Sequence, residues 1–533
     1  MLASVATVAF EGVEARRVDV QVQQLSSDQG SFTIVGLADK AVAESRERVR
    51  GAFAGIGLAM PSKRIIANLA PADLPKEGSH FDLPITLALL ASMGVIPPDR
   101  LEGWAALGEL GLDGRIASVG GALPAAMAAN AMGLGLICPE ANGPEAAWAG
   151  DMAILAPRSL IAIVNHFKGT QILRGPERGA ERMGTRVPDL REVKGQEGAK
   201  RALEIAAAGG HNLLFVGPPG SGKSMMAARL PGLMPPLTSQ ELLETSRIWS
   251  VAGMIERGAL THERPFRSPH HSASMAALTG GGHKARPGEA SLAHNGVLFL
   301  DELPEFSAQA LDSLRQPLET GEIVVARANH HIKYPARFQL IAAMNPCRCG
   351  LGGGGKGACG KAPKCQRDYQ NRISGPMFDR IELTVETPPV TAADMALPPP
   401  AEGTAEAAAR VSVARAMQED RVATLVASGE IDAAQARDQG INARCSGAVL
   451  DRFATPDEAG RGLLMRAGEA GGLTARGWTR TMRLARTIAD LEGADGVLRR
   501  HIAEALIYRR TTVGAQADFD RQIDARTSQV PAW

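Results

Sequence analysis

Aromatic residues are scarce in this chain of 533 residues: Phe, Trp and Tyr together make up 4%. That is too few for broad stacking platforms that hold single-stranded nucleic acid. An excess of either charge is lacking too. Lys and Arg number 58 against 57 Asp and Glu, a formal net charge of +1, so any contact with a polyanion must come from locally arranged charge. The first residues, MLASVATVAFEGVEARR, lack the basic-then-apolar pattern of a secretory signal. The one long uncharged stretch, Ile116 to Pro139, is dominated by Ala, holds Pro124 and Asn130, and has few Leu or Ile. It reads as core and turns, not as a membrane span. Six cysteines without secretory context point to reduced thiols or a metal instead of a disulfide framework. No internal repeat of fixed period is present. What remains is 45% hydrophobic and 22% charged residues over a length that implies two or three domains. The expectation is a cytoplasmic, soluble, multidomain protein with no membrane contact.

The chain divides by pattern. Residues 1–165 alternate β-like runs such as VEARRVDVQVQ with helical ones such as AVAESRERVRGAFAGIG and LPITLALLASMGVI, the last expected to stop at Pro97-Pro98. Residues 166–188 are charged, Gly-rich and aperiodic, and read as a linker. Residues 189–388 have the strand–loop–helix order of a parallel α/β sheet. A proline-rich hinge opens residues 389–510, which are Ala- and Arg-rich with helical spacing, and a polar tail follows at 511–533.

The strongest local signal is Gly217-Pro218-Pro219-Gly220-Ser221-Gly222-Lys223-Ser224, between the apolar strand NLLFV and the helix MMAARL. Glycines let successive backbone N–H groups converge on phosphate oxygens. Lys223 would neutralise β- and γ-phosphate charge, and the Ser224 hydroxyl would hold Mg²⁺. A second strand, GVLFL, delivers Asp301 and Glu302 to its C-terminal end, Asp301 toward Mg²⁺ and Glu302 toward an attacking water. A third, FQLIAAM, ends at Asn345, placed to hydrogen-bond that water or the γ-phosphate.

The runs FRSPHHSASMAALTGGGHKARPGEASLAHNGVLFLDELPEF, YPARFQLIAAMNPCRCG and RISGPMFDRIEL resemble the magnesium-chelatase-like AAA+ ATPases, in the YifB/ComM family. SRERVRGAF and NLAPADLPKEGSHFDLPI extend the likeness to the N-terminus. The resemblance implies an α/β architecture in three parts: a Lon-protease-like (ribosomal S5 domain 2-like) α+β N-domain, an AAA+ P-loop parallel α/β core and a C-terminal helical lid. It implies an adenine-side motif around Gly195 and Gln196, and a role for Arg380 at a neighbouring subunit's γ-phosphate. Arg380 can alternatively serve as an ion-pair partner of Asp379 or Glu382. Arg476 matches the lid's sensor arginine, with Arg480 and Arg483 close by in sequence.

In related ring ATPases, insertions at two places line a pore and grip DNA. Here they correspond to residues 264 to 292, with Arg264, Arg267, His270, His271, Lys284 and Arg286, and to the hairpin GEIVVARANHHIKYPARF, with Arg327, His330, His331 and Lys333 near its tip. Lys284, Arg286, Arg327 and Lys333 are the candidate DNA contacts; a solvated loop or subunit contact is the alternative. Cys347, Cys349, Cys359 and Cys365 crowd one Gly-rich loop, either as a tetrahedral Zn²⁺ site or as four reduced thiols. In the N-terminal part, the Lon-like pattern places His80 where a nucleophilic Ser is needed, with Ser79 one residue early, and Leu123 where its Lys is needed, so peptidase activity is not expected.

The phosphate loop and the Asp301-Glu302 pair point to an ATPase that uses ATP and Mg²⁺, and the resemblance implies a ring, expected to be a hexamer, that drives DNA branch migration or helicase action on branched or single-stranded DNA during transformation. A chelatase-type motor for metal insertion and a nucleotide-regulated scaffold are the rivals.

Overall fold

Alternation of apolar and polar residues builds the first hairpin, strands Leu2–Glu11 and Glu14–Leu25, with Val18, Val20 and Val22 fully buried on one face. In the computed structural model, which describes residues 2–26, 30–184, 187–282, 286–327, 330–350, 359–361, 363–469 and 473–509, this hairpin is the middle of a seven-stranded mixed sheet. Helix Lys40–Gly55 starts where the Asp39 carboxylate accepts the Val42 N–H, and it buries Val42, Val49 and Phe53 against the sheet. Helix Asp82–Ser92 is buried along its whole length, which its nearly all-apolar sequence requires. It stops short of the expected Pro97-Pro98 because Gly94 takes a left-handed φ of 76° and turns the chain earlier.

The uncharged stretch becomes strand Ile116–Ala117, helix Ala122–Ala131 and strand Gly135–Ile137, with Leu123, Ala125 and Cys138 in the core. Among the described residues, no helix is long and apolar enough to cross a membrane. The following stretch, 166–188, opens with the end of helix Leu160–Phe167, and its Glu181–Arg182 pairs in parallel with Leu260–Thr261 of the next unit. Two ladder residues use backbone only, so charged, Gly-rich composition gives no sign of them.

The central unit is a five-stranded parallel sheet in the order Phe266–Arg267, Val297–Leu300, Gln339–Met344, Leu213–Val216, Leu383–Glu386. Helices cover both faces, which is why the three middle strands are apolar runs apart from buried Gln339. The first unit docks on helix Ser239–Ala252. The Gly121 N–H reaches Ser250 O at 2.9 Å, and the Ser250 hydroxyl donates to buried Glu145, whose carboxyl burial pushes up.

Helices Thr404–Ala427, Gly447–Ala454, Ala475–Leu491 and Arg499–Ile507 share a core with helix Glu197–Gly209. Buried Asp490 ties helix Ala475–Leu491 to helix Thr404–Ala427 and to Asn442. It accepts two bonds of 2.6 Å from Arg421, one of 2.7 Å from Asn442 and one of 3.0 Å from buried Arg486. Removing that carboxylate strands a buried guanidinium, which costs about 3–5 kcal/mol. Asp490→Ala is therefore expected to lower the urea midpoint for loss of helical signal markedly. A wild-type midpoint contradicts this reading of the helical unit.

Candidate nucleotide site

Parallel strands present their C-terminal ends on one edge, where ligands of such sheets bind. After Leu213–Val216, Gly220 and Gly222 take left-handed φ values of 77° and 88°, the backbone conformation that a loop cradling phosphate draws on. A Cβ on Gly217 would lie 2.2 Å from the Thr387 carbonyl oxygen, so only Gly fits there. The Ser221 hydroxyl lies 3.0 Å from that of Thr387, which anchors the loop to the neighbouring strand.

Lys223 Nζ donates to Gly217 O (2.8 Å), Pro218 O (2.9 Å) and Asn345 Oδ1 (3.2 Å). Burial lowers its pKa, with Asp301 and Glu302 pulling the other way. The ammonium thus sits among carbonyl oxygens that an anion's oxygens can replace. The Ser224 hydroxyl donates to Asp301 Oδ2 at 2.6 Å, and Asp301 Oδ1 accepts the Glu302 N–H at 2.9 Å. Glu302 itself has φ 52°, a left-handed conformation uncommon for a residue other than Gly. Such backbone is kept where the surroundings fix it, commonly at functional sites. Its Oε2 lies 3.3 Å from His271 Nδ1.

The adenine side also fits. Gln196, at φ 60°, donates through Nε2 to Pro388 O at 2.6 Å, while its Oε1 is buried with no hydrogen-bond partner. An orphaned acceptor there suits the exocyclic amine of an adenine. Ser224 and Asp301, already in contact, form an all-oxygen pair of the type Mg²⁺ takes.

Lys223, Ser224, Asp301, Glu302 and Asn345 are therefore brought together. Arg380 and Arg476 are not. They line a cavity of about 820 Å³ with Arg337, Arg444, Arg480 and Arg483. Asn212, which precedes strand Leu213–Val216, lines it too, so the cavity sits at the opposite end of the sheet from the phosphate loop. The four-residue strand between them spans about 13 Å. Arg380 pairs with Glu319, and not with Asp379 or Glu382. Glu382 is half-buried and accepts the Asn212 N–H at 2.9 Å. Burial and the neighbouring Arg315, Arg476 and Arg480 lower the Arg380 pKa, opposed by Glu319. Arg476 and Arg480 both approach Asp379, at 3.9 and 3.8 Å.

The cationic loops are thinner than the sequence suggested. Arg264 is bound to Glu241 and to backbone carbonyls, and Arg267 grips Glu289 with bonds of 2.6 and 2.9 Å. Both are tied into structure because Phe266–Arg267 is an edge strand of the sheet. Arg286 is exposed. Lys284 and the tail 511–533 lie outside the described residues, as do the side chains of Arg327, His330 and His331. The expected hairpin forms, from Glu322–Arg327 and His330–Pro335. Lys333 is not near its tip: it faces Val324 midway along the ladder, exposed, with Glu322 at 3.8 Å. The hairpin rests where the first and central units meet: Tyr334 packs with Val13 of the first and with Ile248 and Leu292 of the central one.

The four loop cysteines do converge, with all Sγ atoms within 4.8 Å of one another. In the first unit, Ser79 donates to the Glu109 carboxylate, which is not an amine. His80 is buried between Phe10 and Phe81, its Nε2 2.9 Å from Val8 O, and burial pushes its pKa down to about 4. Leu123 is fully buried.

A parallel sheet carrying a phosphate loop, an Asp–Glu pair and a polar Asn on one edge defines an ATPase with an AAA+-type core. Family models described as magnesium chelatase subunit ChlI match residues 189–395 and 18–142, and the model of the ChlI C-terminal part matches 401–509. YifB of Salmonella typhimurium is 42% identical over 508 residues, covering 95% of this chain and 97% of its own length. Competence protein ComM of Haemophilus influenzae is 41% identical over 519 residues, with the same coverage of both chains. The 38 kDa magnesium-chelatase subunit of Cereibacter sphaeroides is 30% identical over 172 residues, 29% of this chain and 51% of its own. The chain belongs to the YifB/ComM family of magnesium-chelatase-like proteins.

Proposed function

We propose that this protein is a ring-forming, Mg²⁺-dependent ATPase, a hexamer that moves branched or single-stranded DNA by branch migration or helicase action during recombination of incoming DNA. The observation that carries the ring is the separation of the site into two halves. Lys223, Ser224, Asp301, Glu302 and Asn345 bind ATP at one end of the sheet, while the arginine cluster lies at the other, out of reach within one chain. Packing subunits head to tail brings Arg380 and Arg476 of one to the γ-phosphate of the next, which is a heterologous contact that closes into a ring. Mg²⁺ held by Ser224 and Asp301 would neutralise charge on the β- and γ-phosphates. Glu302 orients and deprotonates the attacking water, Asn345 fixes that water's position, and Lys223 bears on the phosphate oxygens. Residues 1–165 then form a Lon-like scaffold without peptidase function, and residues 389–510 form the helical lid. The name of the Haemophilus relative supports the placement in DNA uptake.

DNA contact falls to Arg286, Lys333, Lys284 and Arg327 on the two insertions. ATP turnover is expected to rise several-fold with DNA, and the gain to fade between about 50 and 200 mM salt as counterions compete for phosphates. DNA-independent turnover, stimulated instead by a tetrapyrrole-loaded partner, favours the chelatase-type motor that the partial likeness to the 38 kDa subunit suggests. No turnover under any condition favours a nucleotide-regulated scaffold.

A further inference from the structure

Strand Gln339–Met344 ends at Asn345, and the chain continues directly as Pro346-Cys347-Arg348-Cys349-Gly350. It returns through Cys359 and Cys365 at the start of helix Lys364–Gln370. The four Sγ atoms lie within 4.8 Å of one another, and those of Cys347 and Cys349 are 2.9 Å apart. A tetrahedral site with Zn–S bonds of about 2.3 Å separates its sulfurs by about 3.8 Å, within the 4.8 Å limit of the group but wider than the Cys347–Cys349 pair, which must open by about 0.9 Å to take the metal. Residues 346–363 hold one Leu and no Ile, Val, Phe or Met. Hydrophobic burial therefore gives these thiols little reason to converge, whereas a metal supplies the folding energy directly. Four thiolates on Zn²⁺ leave a net charge of −2. Arg348, Lys361, Lys364 and Arg367 lie in the same segment, and charge of that sign needs such partners.

The loop also touches the nucleotide site. Gly350, at φ 80°, lies so close to the phosphate loop that a Cβ there would sit 2.8 Å from Pro219 Cδ. Gln370 Nε2 reaches Pro346 O at 3.5 Å, tying the return helix to the start of the loop.

We propose that Cys347, Cys349, Cys359 and Cys365 bind one Zn²⁺ as a closed four-thiolate site whose knuckle holds Asn345 and Pro219 in register, so that the metal sets the geometry of the ATP site. Binding releases up to four thiol protons to solvent, and the closed shell leaves no position for substrate. The role is positioning, and its second half rests on the ATPase reading above.

The test uses the full chain, purified without chelator from zinc-supplemented cells. About one zinc per chain is expected by elemental analysis, and Co²⁺ replacement should give thiolate charge-transfer absorption with tetrahedral d–d bands. Stripping zinc with a mercurial, then removing the reagent with thiol, should lower kcat for ATP by about tenfold with a smaller change in KM. Re-adding Zn²⁺ should restore it. Gly350→Ala, which leaves all four thiols in place, should lower kcat while retaining zinc. Absence of zinc with no tetrahedral Co²⁺ spectrum overturns the site, as does a Cys347–Cys349 disulfide in the freshly purified chain. Stoichiometric zinc whose removal leaves kcat and KM unchanged overturns the bracing role. Failure of the ATPase reading is separate: it shows as Lys223→Ala hydrolysing ATP at the wild-type rate, whatever the zinc content.

Discussion

Glu302→Gln is expected to bind ATP with near wild-type affinity and to hydrolyse it about 10³-fold more slowly. The amide keeps the size of the side chain but cannot take a proton from water. Binding rests on other groups, since Lys223, Ser224 and Gln196 are untouched by the change. The strained backbone at Glu302 and the Asp301 bond to its N–H should persist, because neither depends on the side-chain terminus. Nucleotide retained by the protein after gel filtration, beside phosphate release at steady state, measures both parts. Wild-type turnover removes Glu302 from the chemistry. Lost binding instead means the carboxylate holds the site's structure.

The second large effect concerns Arg380. Arg380→Ala should lower kcat by about 10³-fold or more, since a trans arginine contributes 10³ to 10⁵ in related phosphoryl transfers. Its side chain is held by Glu319 within one chain and sits at the far end of the sheet from Lys223. A loss caused by Arg380→Ala must therefore be transmitted across a subunit boundary. Mixing separates this from local damage. Arg380→Ala chains keep an intact phosphate loop, and Lys223→Ala chains keep an intact arginine. Random mixing of two inactive proteins in equal amounts should restore activity at about a quarter of the interfaces. A mixture as inactive as its components contradicts the trans assignment.

The phosphate loop and the Asp301-Glu302 pair were legible because each is local: an apolar strand followed at once by its functional residues. Asn345 was legible for the same reason, and Gln196 through family likeness. Contacts chosen by packing were not. In sequence His271 is one residue of a cationic insertion, yet the fold lays it against Glu302, because edge strand Phe266–Arg267 pairs beside Val297–Leu300 and carries the following residues to the same edge. Arg264 and Arg267 looked like free cations because their partners, Glu241 and Glu289, are fixed by tertiary structure and not by spacing. Glu319 as the partner of Arg380 was hidden likewise. The segregation of the arginines from the phosphate loop follows from strand direction: Arg380 precedes Leu383–Glu386 while the loop follows Leu213–Val216, and the two strands are parallel neighbours. The convergence of the four cysteines needed the loop's return path, which their spacing alone does not give.

Dissociation of a labelled four-way DNA junction by the purified protein, with ATP and Mg²⁺ and with Lys223→Ala alongside, tests the central claim most directly. Forked products from wild type only, dependent on hydrolysable ATP and weakened by salt, are the predicted result. An intact junction at saturating protein, with ATP turnover indifferent to every DNA added, would contradict a DNA motor.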